Sequence, residues 1–233
     1  MFADTNSAKS DINTLNDVFR GEVVAIVGLG GTGAYILDLI AKTKVDQIRL
    51  FDFDIFALHN AFRRPGSTIL GDFNKQKVDL YKDSYSTFHR NIVSYNVAFG
   101  SGREHLMAGV TFAFLCVDKG KAREECSRIL NGLGIPFIDT GTGVTRQSDG
   151  KLSVQIRCTL PSKRSVDELI CDGLLPNADA DNEYTRNPQL AELNALNASL
   201  AVMVYKQRRG YYSGAVDHEM VIFQGDSMKV LAP

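Results

Sequence analysis

The 233-residue sequence is 44% hydrophobic and 23% charged with a net charge of −1, the make-up of an ordinary folded chain large enough to bury a sizeable core. That balance gives no global attraction to nucleic acid or to an anionic membrane, and no apolar run approaches the roughly 18 residues of a transmembrane helix. The polar, acidic opening MFADTNSAKSDINTLNDVF lacks the basic-then-apolar build of a signal peptide, and four cysteines without a CxxC pair (Cys116, Cys126, Cys158, Cys171) argue against zinc and against a disulfide framework, so a reducing, cytoplasmic setting is expected.

In chain order, Ile12, Leu15, Val18 and Phe19 at helical spacing predict a short N-terminal helix within residues 1–20. EVVAIVG (22–28) reads as a buried strand, Thr32 to Lys42 as a helix, and IRLFDFD (48–54) as a second strand. Lys75 to Phe88 reads as a helix with Val78, Tyr81 and Tyr85 on one face; IVSYNVAF (92–99) and TFAFLCV (111–117) as strands; Lys121 to Leu130 as a helix; and IPFIDTG (135–141) as a further strand. Strands alternating with helices argue for a mostly parallel sheet covered on both faces, in which strands need not alternate polar and apolar residues.

The second part of the chain differs. KLSVQIRCTL (151–160) alternates, as an edge or antiparallel strand does, and MVIFQGDSMKVLA reads as a hairpin with a Gly-Asp turn. Residues 161–187 are polar and read as a long, mobile crossover. PQLAELNALNASLAVMVYKQ (188–207) is a strong helix, with Pro188 in its first turn and a stripe of Leu193, Leu196, Leu200, Met203 and Val204. No domain boundary stands out, so 1–233 is read as one α/β domain: a Rossmann-like, mostly parallel sheet with a C-terminal antiparallel portion and a long crossover loop.

Gly28-Leu-Gly30-Gly31-Thr-Gly33 follows a predicted strand and opens a predicted helix, the setting that a nucleotide-binding glycine loop requires. Glycines allow close backbone approach, and the helix N-terminus offers unpaired N–H groups to phosphate. Asp52 lies 19 residues past Gly33 at a strand end, where a carboxylate can hold ribose hydroxyls. The same pattern serves dinucleotides. Charge separates the two cases: Asn60, Arg63 and Arg64 follow the second strand, with Lys75 and Lys77 beyond. Cationic clamps of this kind stabilise a triphosphate and its departing pyrophosphate, which a dinucleotide does not need. Asp118, ending the strand FLCVD, reads either as a Mg²⁺ ligand or as a helix N-cap; Asp139 is a weaker metal candidate at another strand end.

These residues together resemble the ThiF/MoeB/ubiquitin-activating adenylation family: the GxGGxG loop, Asp52 and Asp54, Asn60 eight residues after Asp52, Arg63, a lysine in position 75 or 77, then Asp118. The resemblance covers about residues 22–210, and the NAFRRPG run resembles bacterial members of ubiquitin-like conjugation systems. It implies an ATP-Mg-dependent adenylyltransferase. In that reading Gly28, Gly30, Gly31, Asp52, Asp54 and Arg64 belong to the nucleotide site. Asn60, Arg63 and Lys77 face the triphosphate, and Asp118 holds Mg²⁺. The acceptor's C-terminal carboxylate attacks the α-phosphate, giving an acyl-adenylate. The partners implied are a ubiquitin-like protein's C-terminus, a conjugating enzyme and a second copy of the chain, with no role for nucleic acid or membrane.

The chain departs from the family in lacking the two CxxC zinc pairs and an N-terminal Arg-x-x-Arg, for which Arg20 is a poor stand-in. Some relatives pass the acyl group to a crossover cysteine as a thioester. Cys171 is the one cysteine in that stretch, flanked by acidic residues and by Leu169 and Ile170, and reads either as that acceptor or as a packed residue; Cys116, Cys126 and Cys158 read as core. Three alternatives remain: a degenerate adenylation domain acting as a binding or dimerisation module, a relative that adenylates a small-molecule or tRNA-borne carboxylate, and an NAD-dependent oxidoreductase, for which His59 is the sole sheet-end histidine.

Overall fold

Eight strands form one sheet in the order β3-β2-β1-β4-β5-β6-β7-β8. The computed structural model describes residues 5–10, 12–176, 188–214 and 217–232. Strands β1 (Val23–Val27), β2 (Gln47–Phe51), β3 (Ile92–Tyr95), β4 (Phe112–Leu115) and β5 (Phe137–Arg146) run parallel. β6 (Leu152–Thr159), β7 (Met220–Gln224) and β8 (Lys229–Leu231) continue antiparallel. The expected α/β architecture, with its antiparallel C-terminal portion, is therefore what the chain adopts. β6 is an interior strand between β5 and β7. Its alternation reflects one covered face rather than an edge.

The period-two geometry of a strand divides the core. Val24 and Ile26 of β1 join Ile48, Leu50, Phe112 and Phe114 on one face, against helices α2 (Gly31–Ile40), α4 (Lys77–Tyr85) and α7 (Ala191–Arg208). Ala25 and Val27 join Phe51, Ala113, Leu115 and Phe137 on the other, against α5 (Gly120–Gly132) and α6 (Val166–Cys171). α1 (Thr5–Lys9) and α3 (Leu58–Ala61) are short helices outside these layers. Phe112, Phe114, Tyr205 and Phe19 are fully buried, each contributing about 1.5–3 kcal/mol of burial; Phe19 stacks on Tyr205, which meets Phe112 tilted and Phe114 edge-on. No helix among the described residues is long and apolar enough to cross a membrane.

Three expectations change. The N-terminal helix is two pieces, α1 and a 3₁₀ turn over Leu15–Phe19, in which Phe19 alone is deeply buried while Leu15 and Val18 are exposed. The crossover contains α6, whose Ser165 caps Glu168 N–H while the Glu168 carboxylate accepts from Ser165 N–H. This capping box sits in a polar stretch that carries little apolar periodicity; residues 177–187 lie outside the described residues. Helix α7 begins at Ala191, so Pro188 precedes it. Its buried residues are Leu193, Asn194, Asn197, Ala198, Ala201, Val202, Val204 and Tyr205, with Leu196 and Leu200 partly buried, and of the expected stripe Met203 is exposed. Small residues and asparagines face inward there because α7 packs closely on α2 and on β5 and β6.

Two charged pairs staple the layers. Arg123 on α5, 1% exposed, donates Nε and Nη2 to the carboxylate of Asp139, which is 0% exposed, and Nη2 also donates to Thr140 O. Arg157 stands 3.6 Å from the same carboxylate. This spent carboxylate is the physical reason Asp139 does not serve as an open metal ligand. Glu219 Oε1 receives N–H groups from Ser162, Lys163 and Arg164, and Oε2 receives Arg164 Nε at 2.6 Å. Burial pushes the Glu219 carboxyl up, but the guanidinium and the three N–H donors outweigh it and hold its pKa down at about 2.

Replacing Arg123 by Leu leaves Asp139 buried with its bidentate partner gone and is expected to cost about 3 kcal/mol, measured as the loss of unfolding free energy in urea. The depressed Glu219 carboxyl contributes stability that is complete above its ordinary 4.5 and is lost as pH falls through about 2. The stability gap between wild type and Glu219→Gln should therefore be widest near neutral pH and close between those two values in urea titrations.

Candidate nucleotide site

A cavity of about 330 Å³ opens at the carboxyl ends of β1, β2, β4 and β5, where open α/β sheets bind ligands. Its floor is the turn from β1 into α2. Gly28 has φ +93°, and a Cβ there would stand 2.7 Å from Cys116 O; a Cβ on Gly33 would overlap Gly28 O. Both positions therefore require glycine for packing. Gly30 is different: φ is −71° and nothing lies within 4 Å of a built Cβ. Packing does not explain this glycine, but it leaves bare backbone on the cavity wall.

The turn is held by Asp52, 8% exposed and on the wall. Its Oδ2 accepts Leu29 N–H at 2.7 Å and its Oδ1 accepts Asp54 N–H at 2.8 Å. Burial raises the Asp52 carboxyl above its usual range, although Lys77 and the two N–H donors pull the other way. Lys77, 4% exposed, donates to Asp54 Oδ2 at 2.6 Å and stands 3.7 Å from Asp52. It lines the cavity, whereas Lys75 is exposed and off the wall. Arg63 also lines the cavity, and its buried Nε has no hydrogen-bond partner among the described residues. A buried guanidinium N–H left unpaired beside a void suits an anion.

Asp118 lies three residues beyond β4, exposed and on the wall. The residue capping α5 is Lys119, so Asp118 is not the N-cap. The structure thus gathers Gly28, Gly30, Gly31, Asp52, Asp54, Arg63, Lys77 and Asp118 around one cavity.

Three expected site residues lie elsewhere. Asn60 is 3% exposed behind the wall, where its Oδ1 accepts Ala57 N–H and its backbone carbonyl accepts Arg63 N–H. It shapes the turn that carries Arg63. Arg64 stacks over the rings of Phe56 and Tyr81, at 5.1 and 5.4 Å, and bonds Ser67 O. Cys171 ends α6, exposed and away from the wall, so it is not a packed residue.

Other wall residues escaped the sequence reading. Cys116, expected in the core, forms part of the wall, and burial pushes its thiol up to about 12. Thr32, Arg123, Thr140, Gly141 and Gln189 also line it. Behind the glycine turn, Thr32 Oγ1 donates to Asn194 Oδ1, and Asn197 Nδ2 donates to Gly141 O. Two asparagines three apart on the inward face of a helix were the available signal.

Comparison with known proteins places the fold and the family. The chain is 25% identical over 158 residues to ubiquitin-like modifier-activating enzyme 5 of Oryza sativa subsp. japonica, covering 62% of this chain and 36% of that protein. The Gallus gallus enzyme of the same name is 24% identical over 158 residues, covering 62% and 38%. The chain thus spans little more than a third of the length of these curated relatives. Among solved structures, PaaA superposes with a TM-score of 0.72 at 18% identity, covering 100% of this chain and 74% of that one. E. coli MccB solved with ATP superposes with a TM-score of 0.63 at 16% identity, covering 94% and 65%; these likenesses speak to the fold. A profile of the ThiF family matches residues 13–207, and the chain belongs to that family.

Proposed function

We propose that this chain is an ATP-dependent adenylyltransferase that activates the C-terminal carboxylate of a ubiquitin-like protein. The observation that carries the reading is that Arg63, whose Nε has no hydrogen-bond partner among the described residues, lines the same cavity as Lys77 and the bare backbone at Gly30. In this reading the triphosphate lies across the turn from β1 to α2, with α2's N-terminal N–H groups and positive dipole end toward it. Asp52 reaches ribose hydroxyls with lone pairs left over from its two backbone bonds. Arg63 and Lys77 stabilise the charge that develops as pyrophosphate departs. Asn60 acts through the turn that presents Arg63, and Arg64 anchors the same loop.

The acceptor carboxylate is already an anionic nucleophile. Its oxygen bonds to the α-phosphorus while the bond to the bridging oxygen breaks, giving acyl-adenylate and pyrophosphate; no general base is required, and catalysis is positioning plus charge stabilisation. In this reading Asp118, on the cavity wall, would hold Mg²⁺, which would supply neutralisation of phosphate charge. Among the described residues no group of three or more His, Cys, Asp or Glu gathers as a metal cage. A lone carboxylate completed by phosphate oxygens is a normal Mg²⁺ arrangement.

The names of the curated relatives support a ubiquitin-like acceptor. Cys171, the exposed one of four cysteines, is the thioester acceptor in this reading, before transfer to a conjugating enzyme. We assign the whole chain to one adenylation domain working as a cytoplasmic homodimer. The exposed Leu58, Phe62, Ile69 and Leu70, all on the loop that carries Arg63 and Arg64, supply an apolar surface for the second copy.

Arg63→Ala and Asp118→Ala should each lower ATP–pyrophosphate exchange at least about a hundredfold with the melting temperature unchanged, whereas Cys171→Ala should leave exchange intact and abolish the thioester. Exchange at wild-type rate in the first two variants removes those assignments. Phe62→Asp combined with Leu70→Asp should convert the dimer to a monomer in light scattering.

A further inference from the structure

Thr32 sits in the first turn of the ten-residue helix α2, on the cavity wall. Its hydroxyl donates to Asn194 Oδ1 at 3.1 Å. Asn194, 1% exposed, comes from α7, more than 160 residues away in sequence. Its Nδ2 has no partner among the described residues and is aimed at the N-terminus of α2, against Gly31, where a built Cβ would stand 1.9 Å away. A buried amide donor left unpaired costs about 1–3 kcal/mol. A side chain buried that way favours the arrangement in which the donor is used.

The two ends of a carboxamide are nearly the same size, so turning it end for end moves no neighbour. Turned over, Nδ2 donates to Thr32 Oγ1, and Oδ1 rests against the Gly31 Cα–H, a weak but favourable contact. The Thr32 hydroxyl proton is then released from Asn194 and points to the cavity. A neutral hydroxyl in the first turn of α2 gains a charge-assisted bond when phosphate is there.

We infer that Thr32 is a phosphate-binding residue of this chain and that Asn194 is the positioning residue that turns its hydroxyl proton toward the anion. The inference rests on the nucleotide reading of the cavity and extends it to a contact made by the helix that follows the crossover.

The test is calorimetric binding of ATP-Mg and of adenosine, a phosphate-free probe, to the full chain. Thr32→Val should weaken ATP about tenfold and leave adenosine unchanged, while Thr32→Ser should restore ATP affinity to within about twofold. Asn194→Asp, whose carboxylate can only accept the Thr32 proton, should also weaken ATP, and by less in a Thr32→Val background than alone. If Thr32→Val fails to fold, Thr32→Ala carries the same expectation. ATP affinity equal to wild type in Thr32→Val or Thr32→Ala, with adenosine also unchanged, overturns the assignment while leaving the nucleotide site standing. Absence of ATP binding in the wild type overturns the nucleotide reading and this inference with it.

Discussion

The site depends on one buried carboxylate. Asp52 ends β2, yet its oxygens bind Leu29 N–H in the glycine turn and Asp54 N–H in its own loop, with Lys77 of α4 close by. Three segments distant in sequence are thereby fixed to a common point. A side chain buried this far pays a desolvation cost, visible as the raised carboxyl, and the cost is offset only if all three partners stay in place. The glycine turn is held in place for that reason, with Gly28, Gly30 and Gly31 on the cavity wall.

Cations on the wall are held by two different strategies. Lys77 is neutralised by Asp54 and Asp52 before any ligand arrives, so it is pre-positioned and partly spent. Arg63 keeps an unpaired Nε and depends on the turn closed by Asn60 for its aim. The guanidinium next to it, Arg64, also keeps one nitrogen, Nη1, without a hydrogen-bond partner among the described residues, but lies off the cavity wall and stacks on Phe56 and Tyr81. Adjacent arginines thus divide into one that faces the void and one that holds the loop. Solvent-facing and core-facing directions alternate so quickly in a short turn that neighbours in sequence end up in opposite environments.

The opposite wall of the cavity is set by packing. Arg123 draws β5 onto α5 through Asp139 and Thr140 O, and Asn197 bonds Gly141 O from the other side of the sheet. The cavity is therefore bounded by elements from both halves of the chain, and residues that never meet a ligand decide its width.

The alternation of buried β-branched runs with helical periodicities determined the parallel sheet in advance, because burial on both faces and a right-handed crossover leave few other arrangements. Gly28, Gly30, Asp52, Arg63 and Asp118 could be picked out from spacing alone: a strand end, a tight turn and a helix start are local events, and the side chains at them share one sheet edge. Asn60 and Arg64 belonged to the same run, yet only three-dimensional contacts separate residues on the wall from those behind it. The choice of Lys77 over Lys75 likewise waited on which lysine faces Asp54, since a one-residue step rotates a helical side chain by about 100°. The roles of Arg123 and Thr32 could not be read in the chain, as their partners, Asp139 and Asn194, lie 16 and 162 residues away. Local chemistry wrote the loop and the strands into the sequence, while the pairing of distant polar side chains came into being only when the layers closed on one another.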